Sequence, residues 1–260
     1  MTDDAGISED ATGALSLPLR VPAKRLGVAV VEALVDLIVS GRLAPGASLP
    51  PELPLSEQFG VSRTVLRESV KRLEEKGLVT VSQGRGTVVQ PTRSWNMLDR
   101  VVLQALIAHD RTLGVLDELT VVRAQLESAM ASETAAALTP DDLDTLRVPL
   151  EEMRASIDDV PRFLAADVDF HETVMALSGN RLAESIARIL YERARESARY
   201  ARVDVPLELH RRTLEEHELV FAAIAARSAD EAASTMYRHI VDAWTRRRPA
   251  DHRGAPAAGR

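Results

Sequence analysis

Asp167 and His171 stand four residues apart, so on a helix both point to the same side. His217 and His239 follow in two later stretches of helical character. Three inward-facing imidazoles and one carboxylate would suit Zn²⁺, Ni²⁺ or Mn²⁺, one ion per chain, and leave coordination positions open to a ligand. Spacing alone leaves the matter open, because any helical chain of this length carries some His and Asp. A second constellation lies near the N-terminus. Arg63, Arg67 and Lys71 recur every four residues and form one stripe of a helix, with Leu66, Val70 and Leu73 about a quarter-turn away. An exposed basic stripe that begins at a helix N-terminus fits the major groove of DNA, where it meets base edges and phosphates. Its plainer alternative is a solvated face balanced by Glu68, Glu74 and Glu75.

The elements that must carry these residues can be read from periodicity. Residues 26–40 hold Leu26, Val30, Leu34, Leu37 and Ile38 at helical spacing, stopped by Gly41 and the Pro45-Gly46 turn. A short helix over 54–60 ends at Gly60, and Ser62 is an N-cap for a third helix that runs to about Lys76 and stops at Gly77. Leu78–Val81 and Thr87–Val89 are β-branched runs separated by a glycine-rich tip, which reads as a hairpin. That tip holds Arg85 between Gly84 and Gly86, so its backbone can approach a minor groove closely and Arg85 can enter it. From Leu98 onward the pattern is helical, broken at Gly114, Pro140, Pro161, Gly179-Asn180 and Pro206. The expected fold is mainly α: an N-terminal winged helix-turn-helix followed by an all-α antiparallel helical bundle.

Bulk composition agrees. The 260 residues are 45% hydrophobic but only 3% aromatic, so the core must be aliphatic. No cysteine is present, which excludes disulfides and thiolate metal sites. The acidic start MTDDAGISED has no apolar core and is not expected to be a signal peptide. The longest apolar run, Leu26 to Val39, is interrupted by Glu32 and Asp36 and is too short to span a bilayer. A soluble, cytoplasmic protein without membrane partners is expected. The net charge is −7, yet residues 19–92 carry 10 Lys/Arg against 7 Asp/Glu, a basic segment inside an acidic chain.

The string LPPELPLSEQFGVSRTVLRESVKRLEEKGLV (residues 49–79) followed by GRGTVV strongly resembles the winged helix of the GntR family of bacterial regulators. The resemblance implies DNA contacts at Arg63, Arg67, Arg85 and Gly86, and the candidate DNA-binding set is Arg63, Thr64, Arg67, Lys71, Arg85 and Gly86. One position departs: many members carry Arg where this chain has Leu53. Residues 121–138, 165–180 and 215–240 look like the FCD effector domain of the FadR-like branch. There an Asp-x-x-x-His pair and two later His bind a divalent metal, matched here by Asp167, His171, His217 and His239. Arg123 matches an arginine that can pair with an anionic ligand through a charge-assisted fork, or it pairs with Glu127 one turn on. Residues 92–107 resemble the galactonate-operon repressors and their sugar-acid-sensing relatives, which implies a sugar acid or similar small carboxylate as effector.

Asn180 is expected to cap a helix, and Trp95 either belongs to the string shared with the sugar-acid-sensing relatives or wedges between the domains. His109, His210 and His252 match nothing and are expected at the surface. The organisation expected is a disordered tail (1–20), winged helix (21–91), linker (92–99), effector domain (100–248) and disordered tail (249–260). The expected function is a homodimeric regulator on pseudo-palindromic operator DNA, a repressor rather than an activator as most members of the resembling family are, and no enzyme. Two alternatives are a regulator sensing a fatty acyl or other apolar effector without metal, and a metal-dependent hydrolase built on the bundle.

Overall fold

The computed structural model describes residues 23–82, 84, 86–196 and 206–248. Both expected tails, Arg85 and part of the helical stretch expected between Asn180 and Pro206 lie outside the described residues. The chain runs α1 (Ala23–Val39), α2 (Glu52–Phe59), α3 (Arg63–Glu75), β1 (Val79–Ser82) and β2 (Gly86–Val89), then α4 (Arg100–His109), α5 (Gly114–Ala137), α6 (Pro140–Ala155), α7 (Val160–Leu177), α8 (Arg181–Glu196), α9 (Leu207–Ala225) and α10 (Ala229–Arg247). No helix among the described residues is long and apolar enough to cross a membrane.

Local chemistry sets these boundaries. Ser62 accepts a hydrogen bond from the Val65 amide and starts α3, while Gly60 closes α2 in the left-handed conformation. Thr139 and Asp142 form a reciprocal capping box at α6, and Asn180 Oδ1 accepts from the Ala183 amide at the start of α8. The strands pair antiparallel, Val79 opposite Val89 and Ser82 opposite Gly86. Residues 46–49 lie along the free edge of β2, with Leu49 N–H donating to Thr87 O at 2.8 Å. One apolar cluster joins Val31, Leu34, Val35 and Ile38 of α1 to Leu55, Leu66, Leu73, Val79 and Val89, which is the core of a winged helix.

α5 is the hub of the second region and packs on α7, α8, α9 and α10. Ala124, Ala131 and Ala135 line its inner face, and small side chains let neighbouring helices approach closely. Phe163 and Phe170 of α7, Val220 and Ile224 of α9, and Met236 and Ile240 of α10 fill the space around it.

α4 belongs to both regions. Val101, Val102, Ala105 and Leu106 pack on the winged-helix cluster, whereas Leu103 and Ile107 pack with Leu113, Leu116, Leu119, Leu190 and Trp244. The stretch before α4 is pinned rather than loose. Trp95 is buried in the winged-helix cluster and donates from its indole to Gln90 O. Asn96 N–H donates to Lys76 O, and Asp99 both caps α4 and meets Lys76 Nζ at 2.5 Å. Gly77 (φ +72°) lies so close to this stretch that a Cβ there would collide with the Ser94 carbonyl. Gly41 has a similar φ (+79°) and open space around it. Gly77→Ala is therefore expected to lose more stability than Gly41→Ala, by more than about 1 kcal/mol in urea denaturation. Equal losses would show that the close approach carries no energy.

Candidate metal centre and nucleic-acid interface

The i, i+4 pair on α7 turns Asp167 and His171 inward. α9 brings His217 and α10 brings His239 to the same point, and all four side chains are buried. One donor atom from each lies within 4.8 Å of the others. Donors bonded at about 2.1 Å to one ion sit at most about 4.2 Å apart, so a small contraction would close the set.

Each imidazole is held by its other nitrogen. His171 Nδ1 lies 2.5 Å from Glu127 Oε2, His217 Nδ1 lies 2.7 Å from Thr213 O, and His239 Nδ1 lies 3.0 Å from Glu216 Oε2. Those three partners are acceptors, so each Nδ1 carries the proton and each Nε2 presents a bare lone pair to the centre. His171 Nε2 and His239 Nε2 stand 3.2 Å apart. His217 Nε2, 3.4 Å from Asp167 Oδ1, is buried and makes no hydrogen bond among the described residues. Facing lone pairs beside a carboxylate form a site for a cation.

Electrostatics favour the same states. Burial pushes His217 well below the usual imidazole range, and any proton on His239 would push it further. Burial also lowers His239, although its bond to Glu216 works the other way. Both are neutral at pH 7, as a metal ligand must be. Burial would raise Asp167, but the positive charge that its imidazole neighbours can take up, His217 first, and that of Arg247 outweigh it and hold the carboxyl below its ordinary range. Tyr191 O–H donates to Asp167 Oδ2 at 3.2 Å.

Arg123 is buried, pairs with Glu127 and lies over the Tyr191 ring at 3.9 Å. The expected ion pair is thus present. Arg123 also lines a space of about 10 Å³ beside the cluster, together with Asp167, His171, Tyr191, His239, Ile240, Ala243 and Arg247. That is room for one water at most. On the far side, Glu216 receives both Arg246 guanidinium nitrogens at 2.6–2.7 Å. Glu127, Glu216, Thr213 and Tyr191 had not been singled out as parts of the site. Glu216 directly precedes His217 and Thr213 lies one turn before it on α9, whereas Glu127 and Tyr191 come from elements that only the fold brings near. His210 corrects the expectation of a surface position. It is buried, stacked on Phe163 at 4.8 Å, because it lies on the inward face of α9. His109 is exposed and contacts Asp36 at 2.5 Å, and His252 lies outside the described residues.

On α3, Leu66, Ser69 and Leu73 are buried while Arg63, Thr64, Arg67 and Lys71 face solvent. Glu52 of α2 reaches across to Arg67 Nε at 2.8 Å and Arg63 at 3.4 Å. Gly86 opens β2 at φ +74°, exposed beside the tip. Leu53, at the departing position, is more than half exposed.

A winged helix with an outward basic helix, joined through α4 to a bundle that gathers a donor cluster, defines a DNA-binding regulator with a sensing region. The comparisons agree. Residues 26–89 match the bacterial regulatory proteins of the gntR family, and residues 118–242 match the FCD domain. The galactonate operon transcriptional repressor of Escherichia coli (strain K12) is 33% identical over 217 residues, covering 80% of this chain and 91% of the relative. The transcriptional repressor NanR of Cronobacter sakazakii is 29% identical over 239 residues, covering 90% of each. The solved structure of Lar, which controls the expression of the Listeria monocytogenes agr system, shares the fold at a TM-score of 0.53 and 18% identity, over 89% of this chain and 98% of that one. The chain belongs to the GntR family and carries its FCD effector domain. It is a ligand-responsive, DNA-binding transcription regulator, and this membership sets aside the hydrolase alternative.

Glu127 supports a test of the cluster's scaffold. Burial would raise its carboxyl, but Arg123 and His171 hold it at about 2. A lowered folded-state value stabilises the fold above the unfolded value and loses that contribution as pH falls between them. In chelator-treated protein, Glu127→Gln is expected to lose about 3 kcal/mol at pH 7, with the gap to the wild type narrowing between about pH 4.5 and pH 2. Urea denaturation across that range checks it; equal stability at pH 7 would contradict it.

Proposed function

We propose that this protein is a homodimeric repressor, released from its operator when a small hydroxylated carboxylate enters the bundle beside a divalent metal. Asp167, His171, His217 and His239 would hold one Zn²⁺, Ni²⁺ or Mn²⁺ per chain and leave positions open. The observation that carries this reading is the convergence of three bare Nε2 atoms, each fixed through Nδ1 to a separate acceptor. When bound, the metal supplies a Lewis-acidic point of attachment for a carboxylate. Arg123, already beside the cluster, offers the ligand a second cationic contact. A sugar acid is the favoured effector class, supported by the relative named for a galactonate operon. Four charged or strongly polar ligands and a buried arginine suit such an acid better than a fatty acyl chain.

DNA is read by Arg63, Thr64, Arg67 and Lys71 of α3, with Arg85 and Gly86 at the wing. Two-fold symmetry would place the two recognition helices in successive major grooves. The effector region is taken as 100–248 and the DNA-binding region as 21–91, coupled through 92–99 and α4.

The closed space beside the cluster supports a coupling route. An effector cannot enter without parting the helices there, and α8 is one of them. Tyr191 of α8 touches Asp167, and one turn further Glu196 of α8 meets Gln104 of α4 at 2.6 Å. α4 in turn is pinned to the winged helix by the contacts Asp99–Lys76 and His109–Asp36. The shift in DNA affinity is limited by the effector's differential affinity for the two arrangements, typically about 1–3 kcal/mol.

Native mass spectrometry with metal analysis is expected to find a dimer with one divalent ion per chain, and the ion lost in His217→Ala. A never-chelated protein that is metal-free and takes up no added Zn²⁺, Ni²⁺ or Mn²⁺ would remove the metal from the reading. Separately, on DNA selected from a random pool, Arg63→Ala/Arg67→Ala is expected to bind about 100-fold more weakly and to lower the salt slope by about 2. Unchanged affinity would overturn the assignment of α3 as the reading helix.

A further inference from the structure

His210 is the one histidine of the bundle that the cluster does not absorb. It is 3% exposed, and among the described residues neither ring nitrogen has a hydrogen-bond partner. An unsatisfied buried donor or acceptor carries its full desolvation cost, so such groups call for a partner that arrives later. A plain core position would take Phe or Leu here without that cost.

Its placement says which partner. His210, Thr213 and His217 are all buried and follow one another at three and four residues, so they form a single inward stripe of α9. On α7, Phe163 stacks on His210, and four residues later Asp167 meets His217. His210 therefore sits two turns of α9 from the ligand His217, about 10 Å along the helix axis. Arg247 links the two: it lines the small space beside the cluster, and its charge acts on both Asp167 and His210. The space beside Arg123 is too small for a chain of carbons, so an acid anchored there reaches His210 by extending along the bundle.

We propose that His210 contacts the distal part of the effector and selects a hydroxyl-bearing acid over an alkyl acid. This rests on the sensing site described above. Burial first, and then Arg247, keep the ring neutral, so it offers one N–H donor and one lone-pair acceptor. Ligand hydroxyls answer both; a hydrocarbon answers neither. Phe163 holds the ring plane while the bundle opens to admit the ligand.

The experiment uses the full-length, zinc-loaded protein titrated calorimetrically with galactonate and with hexanoate, in the wild type, His210→Phe and His210→Gln. The wild type is expected to prefer galactonate. His210→Phe is expected to keep its zinc, to melt at or above the wild-type temperature and to lose galactonate affinity about tenfold or more, with hexanoate unchanged. His210→Gln, which retains a donor and an acceptor, is expected to stay within about threefold of the wild type. In ¹⁵N-histidine spectra of the wild type, the His210 ring signals are expected to shift with galactonate and not with hexanoate, which tests the contact even if a variant misfolds. Wild-type galactonate affinity in His210→Phe, or His210 signals unmoved by bound galactonate, would overturn the proposal alone. A wild type that binds neither acid, or prefers hexanoate, would overturn it together with the hydroxy-acid reading.

Discussion

A neutral imidazole has one proton, and a hydrogen-bond acceptor at one nitrogen decides where it sits. In this bundle three imidazoles each have an acceptor at Nδ1: a glutamate from α5, a backbone carbonyl of α9 and a glutamate from α9. Nε2 is left bare on all three, and all three face Asp167. The arrangement is unfavourable by itself, because lone pairs at about hydrogen-bond separation repel and buried acceptors lack water. It persists because Glu127 and Glu216 are themselves tied down, one by Arg123 and the other by Arg246. Their carboxyls are both held at about 2 against the opposing effect of burial, so they stay anionic across any physiological pH. Removing Arg123 would leave the buried Glu127 charge without its main counterion, a loss of several kcal/mol, whereas half-buried Glu216 would keep Arg212 at 3.4 Å. The polar centre is thus a linked set in which the outer ion pairs fix the inner donors.

The same centre reaches the DNA-binding region through few contacts, and their type matters. α4 has no polar face of its own to spare: one side packs on the winged helix and the other on α5 and α8. Packed apolar surfaces hold discrete arrangements and resist continuous deformation, so a displacement of α8 has to move α4 as a body or break its packing. In the proposed route, Asp99–Lys76 and His109–Asp36, at the two ends of α4, are the polar contacts that would pass such a movement to the winged helix.

Much of this was legible in the sequence because it depends on local chemistry. Ser62, Gly60, Gly77, Asn180 and the breaks at Pro140 and Pro206 placed the helix ends to within a few residues, and the Asp167–His171 spacing put both on one face. What was illegible depends on tertiary proximity. Nothing in the spacing shows that Glu127 and His171, 44 residues apart, share a proton, or that Tyr191 reaches Asp167. The winged-helix role of Trp95 and the tight passage at Gly77 also emerge only once the stretch from Pro91 to Asp99 folds back on β2 and the end of α3. His210 is a different case. Its phase with Thr213 and His217 already marked the inward face of α9; it was read as a surface residue because it matched no motif, and matching a motif is no measure of burial.

The recognition helix shows how a site can be poised without being strained. Glu52 holds Arg67 and Arg63 in the unbound protein, with all three side chains more than 40% exposed. Exposed pairs of this kind are worth about 0–1 kcal/mol, so exchanging Glu52 for a phosphate or a guanine edge sacrifices little. Each good bidentate base contact returns about 1–3 kcal/mol of discrimination. The pair nonetheless limits the rotamers of two long side chains that carry the largest ordering entropy of any residue type. Glu52 therefore limits where the two guanidinium groups lie along the solvent-facing side of α3. Leu53, immediately beside it, is more than half exposed where the resembling motif often carries another cation, so under the proposed DNA reading discrimination falls more heavily on Arg63 and Arg67.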